Sequence, residues 1–427
     1  MRLVSTRNPN DRATFAEAIQ VGMAPQGGLF VPEALPVFPD VPALLAMPFQ
    51  DRSVEIAHRL LGDEFTRAEL DTAVRDALDF PVPLLPAGER VYALELFHGP
   101  TLAFKDFGAR FLARMLGLVA RREGTRLRTV LTATSGDTGA AVAHAFWAME
   151  GFQVVVLYPR GKVTDLQEAQ FATLGGNVAT FAVEGVFDDC QALVKGCFED
   201  PALCLRLGLT SANSINIARL LGQVLYYYEA VARFQALRPG QAPVIAVPSG
   251  NFGNLCAGLW AQRTGLPVQA FVVATNDNRT VPEYLETGEY RPRPSTVTLS
   301  SAMDVGAPSN WERIHHLYHG ELEALRATLR WGSHSDAQTR AAAADLRAAG
   351  YEPDPHGAVA CGVLRTCLGP QEAGLFLATA HPAKFPGTLP GAAPAALPQA
   401  LQEVLDKPVL SKPLPVDLES LKRALTH

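Results

Sequence analysis

The sequence lacks the features that would indicate a metal site, a membrane span or a nucleic-acid surface. It has only six cysteines, and no two of them form a C-x-x-C pair, so a zinc site is unsupported. No apolar run approaches the length of a membrane-spanning helix. With a net charge of -6, the chain has no basic excess of the kind that binds nucleic acid. We therefore expect no metal, no membrane partner and no nucleic-acid partner.

The first residues also lack the apolar core of a secretory signal peptide. Unpaired thiols fit a reducing compartment, so we expect a cytoplasmic protein. His315, His316 and His319 have the spacing of metal ligands, but no carboxylate or cysteine partner is evident beside them, which favours a polar helix face. No pattern in the sequence indicates an obligate protein partner, and none fixes the oligomeric state.

What the sequence does contain is an alternation of apolar strands and amphipathic helices. A chain of 427 residues exceeds a usual single core, so two or three domains are expected. Residues 1–88 are predicted to form an N-terminal domain, mostly helical, that ends in a proline-rich linker from Phe80 to Gly88. Residues 89–427 are predicted to form a catalytic core built from parallel strand–turn–helix–strand units. The Pro/Ala-rich tail from Pro386 is expected to wrap the surface.

Two stretches of the predicted core bear on its function. Residues 276–310 contain several prolines and no clear period, so we predict a long loop, which inside a domain is more often functional than idle. Trp311–Leu329 is predicted as one helix, and Gly374–Ala378 as a buried strand.

Lys105 lies between two phenylalanines at the start of a predicted amphipathic helix. Apolar residues follow it with helical spacing, at Phe107, Phe111, Met115 and Val119. Burial and the positive end of a helix both lower the pKa of a lysine, and a neutral lysine amine attacks carbonyl groups to form an imine. Taken alone, the same residue is consistent with an ordinary solvated surface lysine.

A glycine-rich turn, Ser249-Gly-Asn-Phe-Gly-Asn254, lies between a predicted buried strand and a helix. Successive N–H groups at a helix start attract phosphate, and glycine lets the backbone approach it closely. A plain tight turn is the alternative interpretation. The turn matches neither G-x-G-x-x-G nor the P-loop pattern, which weakens a dinucleotide or ATP interpretation.

Two further turns offer anion-binding groups. Ser135-Gly-Asp-Thr-Gly139 follows another predicted strand, and its hydroxyl and amide groups suit a substrate carboxylate better than a metal. The alternative is a helix cap supplied by the Asp or the Thr. The segment from Asn213 to Arg219 places short polar side chains and a guanidinium at a helix start. Arginine binds phosphate in a bidentate manner, although a surface arginine is the simpler interpretation of that segment alone.

Together, these segments provide a lysine that can form an imine, a turn that can bind phosphate and two more anion sites. Pyridoxal phosphate requires such a set, because its aldehyde and its phosphate are bound by different groups of the protein. The chain resembles the threonine synthases of the long, N-terminally extended class. The resemblance covers nearly the whole length and keeps the motifs in order. They are Ala24-Pro-Gln-Gly-Gly-Leu-Phe-Val-Pro-Glu, His98-Gly-Pro-Thr-Leu-Ala-Phe-Lys105-Asp-Phe, Ser135-Gly-Asp-Thr-Gly, Ser211-Ala-Asn-Ser-Ile-Asn, Pro248-Ser-Gly-Asn-Phe-Gly and Thr379-Ala-His-Pro-Ala-Lys-Phe.

The resemblance implies a pyridoxal phosphate enzyme of fold type II, similar to the tryptophan synthase β subunit, with two α/β lobes around the cofactor and an N-terminal helical domain. It implies that Lys105 binds the cofactor as a Schiff base and acts as the catalytic base. It implies that Thr379 hydrogen-bonds the pyridine nitrogen. It also assigns the cofactor phosphate to the glycine-rich turn, namely Gly250, Asn251, Phe252, Gly253 and Asn254.

The resemblance also implies a set of substrate-binding residues. Ser135, Asp137 and Thr138 would face the substrate carboxylate. Ser214 and Arg219 would hold the substrate phosphate, and Lys162 and Lys384 are the next candidate cations.

The expected reaction is that of a threonine synthase, in which O-phospho-L-homoserine and water give L-threonine and phosphate. Two other functions stay open. A threonine or serine dehydratase on the same fold would not need a substrate-phosphate site, so Arg219 and Ser214 discriminate. A non-catalytic phosphate- or amino-acid-binding protein would show no absorbance from a lysine imine.

Overall fold

The computed structural model describes residues 1–124, 127–391 and 397–426. Part of the Pro/Ala-rich tail predicted from Pro386 therefore lies outside the described residues. The strands are β1 (Arg2–Ser5), β2 (Arg12–Thr14), β3 (Phe30–Pro32), β4 (Leu84–Pro86), β5 (Val91–Glu95), β6 (Arg128–Ala133), β7 (Phe152–Pro159), β8 (Val178–Val183), β9 (Leu209–Thr210), β10 (Val244–Pro248), β11 (Ala270–Thr275), β12 (Leu329–Ser333), β13 (Gly374–Ala378) and β14 (Lys412–Leu414).

The α-helices alternate with these strands over most of the chain. They are α1 (Phe15–Val21), α2 (Val41–Ala46), α3 (Phe49–Leu61), α4 (Arg67–Ala77), α5 (Lys105–Glu123), α6 (Asp137–Phe146), α7 (Asp165–Ala172), α8 (Phe187–Phe198), α9 (Pro201–Leu207), α10 (Ile217–Leu237), α11 (Gly253–Arg263), α12 (Thr280–Thr287), α13 (Trp311–Leu317), α14 (Leu322–Thr328), α15 (Asp336–Ala348), α16 (Pro355–Cys367), α17 (Gln399–Leu405) and α18 (Leu418–Thr426).

Two larger sheets form the core, which confirms the predicted α/β class. One has the strand order β12-β11-β10-β13-β5-β4, and all of its pairs are parallel except β4 with β5. The other has the order β14-β8-β7-β6-β9 and is parallel throughout. In open parallel sheets, ligands bind beyond the carboxyl ends of the strands. The turns after β6, β10 and β13 are therefore the places to look for a site.

The N-terminal region contains a third sheet that the sequence analysis did not predict. It is antiparallel, with the order β2-β1-β3, and it accompanies helices α1 to α4. The predicted linker also contains β4, which pairs with β5 as an edge strand. Prolines disfavour central strands but are tolerated at an edge, and this explains why a proline-rich segment nevertheless joins the sheet.

The segment after β11 is more ordered than predicted. It contains helix α12 and a 3₁₀ turn at Ser301–Met303. The single helix predicted for Trp311–Leu329 is wrong: two short helices, α13 and α14, are separated at Gly320, which has a positive φ of 73°. Strand β12 follows them and pairs in parallel with β11.

Two glycines allow the helix that begins at Lys105 to approach α10. A Cβ at Gly108 would lie 2.6 Å from the Arg219 carbonyl oxygen, and one at Gly222 would lie 2.9 Å from the Phe107 carbonyl oxygen. Such contacts are too short for a side chain, so the glycines set the distance between the helices. The close packing brings the first turns of α5 and α10 to the same place.

Candidate active site

A cavity of about 380 Å³ lies beyond the carboxyl ends of strands from both larger sheets. Eleven of the twelve site residues predicted from the sequence line it, and Asp137 does not. The turns after β5, β6, β10 and β13 and the start of α10 thus converge on one space. The eleven residues are Lys105, Ser135, Thr138, Ser214, Arg219, Gly250, Asn251, Phe252, Gly253, Asn254 and Thr379.

Lys105 is the first residue of α5, and the turn before it is held firmly. The Thr101 amide and hydroxyl donate to the Asp106 carboxylate at 2.9 and 2.6 Å, and the Phe104 amide donates to the Thr379 carbonyl at 2.8 Å. Leu102 has a positive φ of 57°, an uncommon backbone conformation for a leucine. Burial is the main cause that lowers the pKa of Lys105 below its usual value. This increases the fraction of neutral, nucleophilic amine.

The turn from Ser249 to Asn254 forms a backbone nest at the start of α11. Phe252 adopts the left-handed conformation, with a φ of 61°, which turns successive N–H groups toward one point. A Cβ at Gly250 would lie 2.8 Å from the Ala302 carbonyl oxygen, so only glycine fits beneath the neighbouring loop. Asn251 is held by the Ser309 amide, which donates to its Oδ1 at 2.6 Å. The geometry suits an anion at the helix start.

Asn254 is oriented by two buried tyrosines. The hydroxyls of Tyr226 and Tyr227 both donate to its Oδ1, each at 2.6 Å. Burial raises the pKa of both tyrosines well above the usual value, so they remain donors. Since the oxygen is occupied, the amide group Nδ2 is left as a buried donor that has no protein partner within the described residues. Such an atom needs an acceptor from a ligand.

Arg219 also lines the cavity, and it carries a second unpartnered donor. Its Nη1 donates to the Ala212 carbonyl at 2.5 Å, whereas its Nε is buried and has no partner in the part of the chain that the structure describes. Burial lowers its pKa to about 10, which still leaves the guanidinium charged at neutral pH. Close by, Ser214 accepts a hydrogen bond from Asn251 Nδ2 at 2.7 Å. A cation and a hydroxyl therefore stand beside the nest.

The turn after β6 leads into helix α6, and neither of the two residues suggested as the helix cap serves as one. The Thr134 hydroxyl accepts from the amides of Gly136 and Gly139 at 2.9 and 2.8 Å, so neither Asp137 nor Thr138 is the cap. Ser135 and Thr138 line the cavity at the start of α6. These hydroxyls remain suited to an anionic group.

Asp137 lies apart from the other predicted site residues. Its carboxylate is buried behind the cavity wall, where it pairs with Lys384 at 2.6 Å. Burial opposes ionisation, but the charges of Lys384 and Lys105 outweigh it and lower the pKa of Asp137. The carboxylate is thus engaged with Lys384, and its predicted contact with the substrate carboxylate stays a prediction. Lys384 is committed to the same pair, and Lys162 is exposed and not part of the wall, so neither lines the cavity as a phosphate-binding cation.

The structure adds wall residues that the sequence analysis missed. Arg293 and the segment 302–307 line the cavity from the long segment after β11, and His356 lines it from the start of α16. The His356 Nδ1 lies 2.7 Å from the Asp354 carboxylate, and the Ala302 amide donates to its Nε2 at 3.2 Å. The sequence offered one indication of these residues, namely the prediction that the aperiodic segment 276–310 is functional. That prediction did not identify any particular side chain.

These residues fit pyridoxal phosphate. The nest and the free Asn254 amide suit its phosphate, Lys105 suits its aldehyde carbon, and Thr379 lies at the end of β13 on the same wall. Within the described residues, no group of three or more His, Cys, Asp and Glu side chains is arranged to hold a metal ion. No helix in these residues is both long and apolar enough to cross a membrane.

Comparison with known families agrees with this geometry. Residues 78–377 match the family described as pyridoxal-phosphate dependent enzymes. Residues 2–78 match the threonine synthase N-terminal family, and residues 357–425 match the threonine synthase C-terminal family. The fold and the cavity therefore define a pyridoxal-phosphate-dependent α/β enzyme.

Individual relatives narrow this class. The threonine synthase of Escherichia coli is 47% identical over 100% of both chains. That of Haemophilus influenzae is 49% identical over 90% of this chain and 89% of its own. The crystal structure of pyridoxal phosphate-bound threonine synthase from Brucella melitensis superposes with a TM-score of 0.94 at 35% identity, covering 100% of this chain and 99% of the other. The chain belongs to the threonine synthase family.

Proposed function

We propose that this enzyme converts O-phospho-L-homoserine and water to L-threonine and phosphate, the last step of threonine biosynthesis. The observation that carries the proposal is that Lys105, Asn254 and Arg219 line one cavity, and that Asn254 Nδ2 and Arg219 Nε are buried donors without a partner among the described residues. A cofactor phosphate and a substrate phosphate would occupy the two sites. A dehydratase substrate carries no phosphate and would leave the second donor buried and unpaired, which costs about 1–3 kcal/mol.

Each group on the wall has a role in this reaction. Pyridoxal phosphate, when bound, stabilises the electron pair left when a proton leaves the substrate α-carbon. Lys105 Nζ takes the α-proton, passes it on to the bound cofactor and, neutral again, takes a β-proton; burial favours the neutral amine that each transfer needs. After the phosphate has left, a proton returns to Cγ and water supplies the hydroxyl at Cβ. Arg219 and Ser214 hold the substrate phosphate that departs from Cγ. Ser135 and Thr138 orient the substrate carboxylate at the start of α6, where helix N–H groups favour an anion.

The finer features of the molecule follow from the same proposal. The two α/β sheets correspond to the two lobes of fold type II, with the cofactor between them. Residues 1–88 form the N-terminal domain and residues 89–427 the catalytic core. A cytoplasmic location is supported by the six cysteines, all of which are free.

The reaction products test the proposed function. Purified enzyme loaded with pyridoxal phosphate should convert O-phospho-L-homoserine to equimolar L-threonine and phosphate, measured by chromatography and a phosphate assay. Before substrate is added, its spectrum should show a lysine imine that borohydride removes. Formation of 2-oxobutanoate and ammonia from threonine, without threonine synthesis, would instead identify a dehydratase. Absence of an imine would identify a binding protein.

Thr379→Val should weaken the cofactor site without destroying it. We expect cofactor affinity to fall by about 0.5–1.5 kcal/mol, because one hydrogen bond to the ring nitrogen is lost. The visible absorbance of the bound cofactor should shift as well. Titration of apoenzyme with pyridoxal phosphate measures both effects, and Thr379→Ser, which keeps the hydroxyl, serves as the control. Unchanged affinity and unchanged rate would reject this role for Thr379.

A further inference from the structure

A buried ion pair lies behind the wall of the cavity and takes no part in the roles assigned so far. Lys384 Nζ is 2.6 Å from Asp137 Oδ1, and the two side chains are 0% and 4% exposed. Lys384 also donates to the Thr101 carbonyl at 2.8 Å, and Gln167 Nε2 donates to Asp137 Oδ1 at 3.0 Å. Burial of two charges is expensive even when they are paired. Stability alone therefore gives little reason for a charged pair at this position.

Backbone contacts fix the pair relative to Lys105. The segment before Lys105 is bonded to the segment that leads to Lys384: the Phe104 amide donates to the Thr379 carbonyl, and the His381 amide donates to the Leu102 carbonyl at 3.0 Å. Asp137 stands in the first turn of α6, between the wall residues Ser135 and Thr138. Three ionisable groups thus converge: Lys105 from α5, Asp137 from α6 and Lys384 from the turn after β13.

The electrostatic effects of these groups on Lys105 have opposite signs. Burial is the largest influence and lowers the pKa of the lysine. The Asp137 carboxylate raises this pKa, whereas Lys384 and then Arg219 lower it. Asp106, the next residue on α5, is occupied by two hydrogen bonds from Thr101. Without Lys384, Lys105 would be the cation left to pair with Asp137.

We propose that Lys384 is a positioning residue for Lys105, because its ion pair with Asp137 keeps this carboxylate from pairing with the Lys105 amine. The inference rests on the proposed role of Lys105 in binding the cofactor. In that step the amine nitrogen bonds to the aldehyde carbon, and the aldehyde oxygen leaves as water with the two amine protons. Only a neutral amine has both the free electron pair and the right number of protons for this exchange.

The test compares Lys384→Met, Asp137→Asn and the double variant. Apoenzyme is mixed with pyridoxal phosphate over a range of pH, the imine is trapped with borohydride, and the rate of adduct formation is followed by mass spectrometry. Lys384→Met should move the midpoint of the pH profile upward by about one unit or more, because an opposite charge is left beside the lysine. Asp137→Asn should move it downward, and the double variant should return it close to the wild-type value.

Opposite shifts of the pH midpoint in the two single variants distinguish a positioning role of Lys384 from a purely structural one. If the pair only supports the fold, both single variants lose stability and slow adduct formation, with no opposed shifts, and this result would overturn the proposal. Where Lys384→Met does not fold, Asp137→Asn still decides the matter, since an unchanged midpoint would mean that the Asp137 carboxylate does not act on the Lys105 amine and would overturn the proposal. Lys195→Met, at a side chain that is 76% exposed, is the matched control and should leave the midpoint unchanged.

Failure of the proposed function would look different. If wild-type enzyme captured the cofactor at a lysine other than Lys105, or at none, the assignment of Lys105 itself would be wrong. If the pH profile shifts while the adduct stays on Lys105, the result bears on the roles of Lys384 and Asp137 and leaves the assignment of Lys105 in place.

Discussion

Lys105→Ala is expected to lower kcat by about 10³-fold or more while leaving the fold intact. The substitution removes both the amine that binds the cofactor and the base that moves the α- and β-protons, and a general base alone contributes about 10²–10⁴-fold. Lys105 lies at the start of α5 and reaches into the cavity, so its truncation leaves the packed face of the helix unchanged. Turnover of O-phospho-L-homoserine and the thermal unfolding midpoint are the measurements.

Two controls accompany this variant. Lys162→Ala changes an exposed lysine away from the cavity and should retain full activity. A small primary amine added to Lys105→Ala should restore part of the rate, because it replaces the missing base. A borohydride-stable cofactor adduct that persists on the Lys105→Ala protein would contradict the assignment, since another lysine would then form the imine.

The parts of the fold that were predicted correctly are those with strong local patterns. Strand β13 has the predicted limits, because five successive buried apolar residues between turn signals leave few alternatives. Helix α5 begins at Lys105 as predicted, since its apolar face repeats over five turns. Lys105 begins α5 and Thr379 follows β13 directly, so these local patterns were sufficient to predict where two of the wall residues lie.

The elements that were missed depend on partners distant in sequence. Strands β4 and β12 lie at the two edges of one sheet, and each is defined by its pairing with a neighbour rather than by its own composition. The same reason applies to Asp137. Its position between Ser135 and Thr138 indicated a shared role, whereas its actual partner, Lys384, is far away along the chain.

The cation that holds the substrate phosphate is the part of the site that sequence reasoning left most open. Lys162 and Lys384 do not line the cavity, and among the described residues Arg219 and Arg293 are the arginines that do. They differ in environment. Arg219 is 2% exposed and has an unpartnered Nε, whereas Arg293 is partly exposed and forms an ion pair with Glu283. A buried cation with a free donor gains more from phosphate than an exposed cation already paired.

Arg219→Ala is therefore expected to lower kcat/KM for O-phospho-L-homoserine more than tenfold. A charge-assisted hydrogen bond contributes about 1.5–3 kcal/mol, and part of it acts in the transition state because the same phosphate is the leaving group. Cofactor binding, followed by the spectrum of the bound pyridoxal phosphate, should survive because the nest and Asn254 remain. Imine formation with an amino acid that carries no phosphate should survive as well.

Arg293→Gln is the matched comparison for Arg219→Ala. We expect it to raise KM only modestly, because Arg293 is already paired at the mouth of the cavity. Loss of the cofactor from Arg219→Ala would mean that the two phosphates are assigned the wrong way round. Full activity of Arg219→Ala together with a large loss in Arg293→Gln would move the substrate phosphate to the segment after β11. The measurements separate these cases because cofactor absorbance and kcat/KM are recorded on the same preparations.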